Sequence, residues 1–140
     1  MPTINRDLAA VAAHRTAKAM DDWEAAKEPL KIERERRLAA GKIFTTSWGA
    51  SIPMTGRPFD QTVILGLTTR AQAYLSQGDL VTTITYRDGH NRIHELTAMQ
   101  WLELSQLSMT WFEAVMAASW AMIDSGTIPT DFTNDIHWPA

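Results

Sequence analysis

The sequence predicts an α+β fold: a long N-terminal helix, kinked or broken near Pro29, followed by a ββαββα domain with a small antiparallel sheet and a long final helix. Apolar residues recur at about every 3.6 positions at the start, then at every second position in short runs, then again at the helical period. We expect a helical arm at residues 1–41, a domain at residues 42–125 and an irregular tail at residues 126–140. Two hairpins should form one mainly antiparallel sheet with the helices on one face.

The N-terminal helix carries a thin, alanine-rich apolar seam. Its members are Leu8, Ala12, Ala19, Trp23, Ala26 and Leu30. Pro29 has no N–H to donate four residues back, so it starts a new helical segment or kinks a continuous one. Gly41 is a natural end for the helix. A narrow seam buries little by itself, so it should pack on another helix, of its own domain or of a neighbouring copy.

The first hairpin surrounds Gly49, and Pro53 places its second strand at an edge because proline cannot donate to a ladder. A helix follows, capped by Asp60 and running to about Gln77. Gly78 closes it.

The second hairpin surrounds Asp88 and Gly89, a pair typical of tight turns. A two-residue turn places His90 and His94 on one solvated face, beside arginines and threonines. A four-residue loop shifts the register and still builds no cluster. No carboxylate there orients a ring or completes a ligand set, so we expect neither a metal site nor a catalytic one.

The final helix is predicted from Ala98 to about Asp124, after a capping box formed by Thr97 and Gln100. It carries two apolar stripes. The first consists of Trp101, Leu104, Trp111, Val115, Ala118 and Met122; the second consists of Met99, Leu102, Met109, Phe112, Met116, Trp120 and Ile123. A helix apolar on most sides must be covered on most sides. We expect the first stripe to be core and the second to be an interface.

The candidate interface combines the second stripe, the N-terminal seam and the tail. Its members are Leu8, Ala12, Ala19, Trp23, Met109, Phe112, Met116, Trp120 and Trp138. The tail is rich in turn residues but too apolar for a disordered segment, so it either folds back or docks on a neighbour. So much apolar helix surface exceeds what a monomer usually exposes, and we expect a homo-oligomer, a dimer or a trimer.

Composition and motifs argue against several classes of function. The chain has no cysteine, which excludes disulfides and thiolate chemistry. A phosphate loop, a nucleophile elbow and a zinc spacing are all absent, so we expect no enzyme and no cofactor or metal. Residues 93–140 contain six acidic and no basic residues, which disfavours nucleic acid binding. The run from Leu107 to Ile123 is too short to span a membrane comfortably, and the N-terminus is no signal peptide.

The segment LKIERERRLAAG, from Leu30 to Gly41, resembles the opening of an uncharacterised bacteriophage tail domain family. Members occur in or beside tail-fibre and baseplate proteins. They continue with the same order of hairpin, helix, hairpin and long helix. The resemblance covers about residues 30–124, and DGHNRIHELTAMQ is its other well-defined piece.

The resemblance implies a structural protein of a phage tail, at the tail tip, the baseplate or the fibre attachment. Its partners would be other tail proteins and further copies of itself, without nucleic acid or membrane. It would be made in the host cytoplasm and reside in the virion tail. The alternative is a tail-fibre assembly chaperone that is absent from the mature virion.

Overall fold

The computed structural model describes residues 2–140, with side chains from Asp7 onward, and has the predicted α+β architecture. In chain order the elements are α1 (Pro2–Ala40), β1 (Lys42–Thr45), β2 (Ser51–Met54), α2 (Pro58–Ser76), β3 (Thr83–Arg87), β4 (Ile93–Thr97), α3 (Ala98–Asp124) and a 3-10 turn (Asp135–His137). Within this part of the chain, no helix is both long enough and apolar enough to cross a membrane.

The long first helix is continuous through Pro29, so of the two predicted alternatives, a kink or a break, the break is absent. Proline removes the hydrogen bond to the carbonyl of Ala25, four residues earlier. Both residues are exposed, so water can hydrate that carbonyl. Downstream of the proline, Leu30 and Leu38 are buried and hold the helix on the domain.

The two inner helices begin with different caps. At the start of α3 the predicted capping box is confirmed: the Gln100 N–H donates to Thr97 Oγ1 at 3.3 Å and Gln100 Oε1 accepts from the Thr97 N–H at 3.0 Å. The other helix starts at Pro58, two residues before the predicted cap. Asp60 lies inside the first turn, where its Oδ2 accepts from the Arg57 N–H at 3.1 Å.

The hairpins form two separate two-stranded sheets, and the expectation of a single sheet is wrong. One sheet pairs β1 with β2 and the other pairs β3 with β4, both antiparallel. A backbone hydrogen bond joins them, from the Gly89 N–H to the Pro53 carbonyl at 2.9 Å. Because Pro53 has no N–H, it cannot donate a hydrogen bond back to the second hairpin, and no ladder between the two sheets can continue from it.

The turn of the second hairpin is longer than either predicted turn. Ile84 pairs with Leu96, three residues beyond the Ile93 that a two-residue turn would place opposite it. Asn91 has a φ of 67°, a left-handed conformation that asparagine tolerates better than most residues. An odd shift turns each β4 side chain to the other face. Leu96 is therefore buried, and Ile93 is exposed.

The core lies between the two sheets and the three helices. Trp101 and Leu104, from the first stripe of α3, are fully buried. Tyr86 packs beside Trp101, with 5.0 Å between the ring centroids. The Trp101 indole N–H donates to Thr68 Oγ1 of α2 at 3.1 Å. This side of α3 is core, as the spacing of the first stripe predicted.

The C-terminal tail folds back onto its own chain. Trp138 is only 6% exposed, and its indole N–H donates to the Phe132 carbonyl at 2.7 Å. Arg37 of α1 lies over the indole, 5.0 Å from the ring centroid. The same guanidinium donates to the Thr133 carbonyl and to Asp135, both at 2.8 Å. Between the two alternatives that the sequence left open, the tail thus packs on its own domain.

Candidate functional site

The structure separates the candidate interface residues into a buried and an accessible group. The accessible members, exposed or half-buried, are Leu8, Ala12, Ala19, Trp23, Met109, Met116 and Trp120. Phe112 and Trp138 are instead buried in the chain's own core, at 5% and 6% exposure. Phe112 is covered because Gly56 has no side chain that would overlap its ring. These two residues therefore offer little apolar area to a partner.

The accessible N-terminal residues belong to a long unburied segment of α1. Every residue from Asp7 to Asp22 is exposed, and we call this range the exposed segment. It spans about 24 Å at 1.5 Å per residue. Leu8 and Met20 are more than half exposed. A helix of this length is marginal in water without tertiary contacts, so a covering partner would stabilise it.

Arg15 lies within the apolar seam of the exposed segment, where the sequence analysis had not placed it. It follows Leu8 by seven residues and precedes Trp23 by eight, spacings that return to the same helix face. The helical period could therefore have identified it as part of the candidate surface. A partner that covers the seam must also accommodate this guanidinium.

A groove runs along α3 between the packed half of α1 and the start of α2. Its volume is about 320 Å³, and we call it the α3 groove. It is lined by Glu35, Leu38, Gln61, Met109, Phe112, Glu113, Met116 and Trp120. Trp120 is 52% exposed and Met109 is 43% exposed. Exposed tryptophan and methionine are typical of the centres of protein interfaces.

The α3 groove continues into a hollow of about 460 Å³ between α2 and α3. The two share Gln61 and Met109, and the hollow adds the exposed Leu65 and the buried Ile64. Together they form one elongated surface, and residues of α2 in it were not predicted from the sequence. Their contribution depends on how α2 packs against α3, which no local pattern reveals.

The charged residues that line the α3 groove are all acidic. They are Glu35 and Glu113, and no lysine or arginine lines this groove. Glu35 already accepts from Arg34 of the same helix at 3.1 Å. Glu113 is exposed at the middle of the groove wall. The groove therefore favours a partner with an apolar and basic surface.

The tip of the second hairpin contains a carboxylate–imidazole pair that the sequence analysis missed. Asp88 is buried, and its Oδ2 lies 2.7 Å from His94 Nε2. Its Oδ1 accepts from the backbone N–H groups of His90 and Arg92 at 2.8 and 3.0 Å. The expectation that no carboxylate orients a histidine is wrong, and the shared face for the two histidines is wrong as well, because the longer turn shifts the register.

Burial raises the pKa of Asp88, but the hydrogen bonds from His94 and from the Arg92 and His90 N–H groups together lower it by more than burial raises it. The pKa of Asp88 therefore lies below its ordinary value. Both oxygens of this carboxylate are thus engaged, one by the backbone of the turn and one by His94 of β4. Among the described residues, no cluster of three metal-ligating side chains occurs.

A cleft of about 570 Å³ separates this hairpin from the start of α2. Tyr86 lines it, and burial, followed by the charges of Asp60 and Asp88, raises the pKa of this tyrosine to about 12. The hydroxyl is therefore protonated at neutral pH. Asp60 is held by Arg57 at 2.8 Å. The charged groups of the cleft are thus engaged in structural contacts.

Comparison with known proteins gives one match. A family model described as a domain of unknown function (DUF4376) matches residues 21–136. No curated protein matches the chain, and no solved structure matches it. The matched range includes the packed half of α1, both hairpins and the three-helix core. It leaves out most of the exposed segment.

Proposed function

The chain belongs to the DUF4376 family of domains of unknown function, and we propose that it is a structural protein of a bacteriophage tail that acts by protein–protein assembly. Its place would be the tail tip, the baseplate or the attachment of a tail fibre. The observation that supports assembly is the exposed segment together with the α3 groove. The phage setting follows from the resemblance of residues 30–124 to the tail domain family.

The two surfaces suit binding to proteins better than chemistry. Trp120 and Met109 are large apolar side chains that are about half exposed, and covering the exposed part of each by a partner would contribute about 1 kcal/mol. The exposed segment adds a helical face that a partner can cover. By contrast, the hydrogen bonds of Asp88 go to His94 and to the backbone of the hairpin tip, so this pair has a structural role.

Mass spectrometry of phage particles purified on a density gradient tests the proposal. We expect the chain in mature particles at several copies per tail. Its absence from mature particles, combined with a requirement for it in soluble fibre expression, would replace the proposal by the assembly-chaperone function.

A matched pair of variants tests whether the α3 groove carries the activity. Trp120→Asp should prevent incorporation into particles, because it places a charge at the apolar surface. Gln72→Asp, at an exposed position of α2 outside the groove, should leave incorporation unchanged. Equal incorporation of both variants would contradict a role for the groove in assembly.

A further inference from the structure

The α3 groove cannot hold the exposed segment of its own chain. The packed half of the same helix supplies Glu35 and Leu38 to the groove wall. Because α1 is one continuous helix, residues 7–22 extend away along its axis. A return to the groove would require a break in this helix. An occupant of the groove must therefore come from another molecule.

The exposed segment of a second copy matches the groove in length. The lining residues of the groove and the adjoining hollow extend along α3 from Ser105 to Trp120, about 24 Å at 1.5 Å per residue. The exposed segment spans about 24 Å by the same measure. Its seam presents the small Ala12 and Ala19, between which the larger side chains of the groove can insert.

The apolar seam of the exposed segment and the α3 groove carry charges of opposite sign. The exposed segment contains two basic and three acidic residues, and Arg15 is the one among them that lies on its apolar seam. The groove is lined by two acidic and no basic residues. Arg15 lies near the middle of the seam, and Glu113 lies between Met109 and Trp120 in the groove wall. A helix placed in the groove can therefore bring Arg15 next to Glu113.

Parallel pairing of two exposed segments in matched register is disfavoured by the same residue. In a parallel pair with matched registers, Arg15 of one copy would meet Arg15 of the other. Like charges in contact destabilise an interface. The remaining seam residues, mostly alanine, bury too little apolar area to compensate. The α3 groove supplies the two things that a second exposed segment lacks: an acidic partner for Arg15 and a larger apolar area to bury.

We propose that the α3 groove binds the exposed α1 segment of a second copy of this chain, with Arg15 of one copy facing Glu113 of the other. The inference rests on the proposed assembly role and names its first partner. Two copies can exchange segments reciprocally, or several can form a ring in which each copy donates to the next.

Disulfide trapping tests the proposal directly, because the 140 residues contain no cysteine. One chain carries Arg15→Cys and the other carries Glu113→Cys, and the two are mixed under mild oxidation. We expect at least about tenfold more disulfide-linked dimer than in a control mixture of Arg15→Cys with Gln72→Cys, because binding raises the local thiol concentration. An equal yield in the two mixtures would overturn the proposal. A high yield from Arg15→Cys alone would also overturn it, in favour of segment-to-segment pairing.

Charge reversal provides an independent measurement on the full chain. Arg15→Glu and Glu113→Arg, each alone, should weaken self-association by about tenfold in sedimentation or light scattering, because each creates a like-charge contact. The chain with both changes should regain the original association. A double variant weaker than either single variant would contradict the pairing.

The two proposals fail separately. Segment exchange seen by trapping, with the chain missing from particles, removes the virion role and leaves the self-association. Incorporation into particles without trapping removes the segment exchange and leaves the virion role.

Discussion

Arg37 of α1 lies over Trp138, with 5.0 Å between the guanidinium carbon and the ring centroid, and so holds the C-terminal tail on the first helix. The same side chain donates to Glu33 at 2.8 Å. Glu33 is buried, and its pKa lies below its ordinary value: the hydrogen bond from Arg36 lowers it, burial opposes this, and Arg37 lowers it further. One arginine thus links a buried carboxylate, the tail and α1.

Replacing this arginine should release the tail. Arg37→Ala removes the contacts to Trp138, Thr133 and Asp135, and we expect a loss of about 2 kcal/mol in the free energy of unfolding. Limited proteolysis should then cleave the tail faster. Arg36→Ala is the control, because Arg36 contacts Glu33 without touching the tail. Equal cleavage of both variants would show that Arg37 does not hold the tail.

The carboxylate in the second hairpin should make stability depend on acid pH. The pKa of Asp88 is lower in the folded state than its ordinary value, so its stabilising charge is fully present above about pH 4. This contribution is lost as the pH falls through the folded pKa. Asp88→Asn should be less stable than the native chain by about 2 kcal/mol at pH 7, and the difference should shrink below about pH 4. Urea unfolding at pH 7, 4 and 2.5 measures it, and a constant difference would contradict the assigned role.

The junction between α1 and β1 requires glycine for two reasons. Gly41 has a φ of +70°, and a Cβ there would overlap the Met54 carbonyl. Gly41→Ala should therefore cost about 3 kcal/mol or more in the free energy of unfolding. Gly49→Ala is the matched control, since φ is +85° there but nothing lies within 4 Å of the added Cβ. It should cost about 1 kcal/mol, from backbone strain alone. Equal losses in the two variants would show that the chain avoids the overlap between the added Cβ and the Met54 carbonyl without a cost in stability.

The hydrogen bond between α2 and α3 should be sensitive to one hydroxyl. Thr68→Val keeps the shape of the side chain but leaves the fully buried Trp101 indole N–H without its acceptor. We expect a loss of about 1–3 kcal/mol in thermal or urea unfolding. Thr69→Val should change little, because that exposed hydroxyl only bonds the Leu65 carbonyl of its own helix. A similar loss in both would point to helix propensity as the cause.

Local patterns were sufficient for the elements of this fold. The capping box at Thr97 and Gln100, and the period of the first α3 stripe, each depend on residues a few positions apart in the chain. Such interactions form within one or two helical turns, so their partners are visible in the sequence. The order of helices and strands followed from them.

Seven of the nine residues predicted for the candidate interface are accessible, and their role as an interface stays a prediction. Leu8, Ala12 and Ala19 are exposed, so this part of the seam does not pack on its own domain, and Trp120 is accessible on the second stripe. Period alone could not show that Phe112 of that stripe is buried, because the space for its ring is created by Gly56, which is distant in sequence. The groove itself required the packing of α1 and α2 on α3.

The sequence alone determined which segments are helix and which are strand, because these states depend on neighbouring residues. Only the tertiary structure decided the register of the second hairpin, the burial of Asp88 and the docking of Trp138. Each of these is a choice between arrangements with the same local pattern. Contacts between distant residues, such as Gly89 with Pro53 and Arg37 with Trp138, select among them, and their energies appear only once the chain is packed.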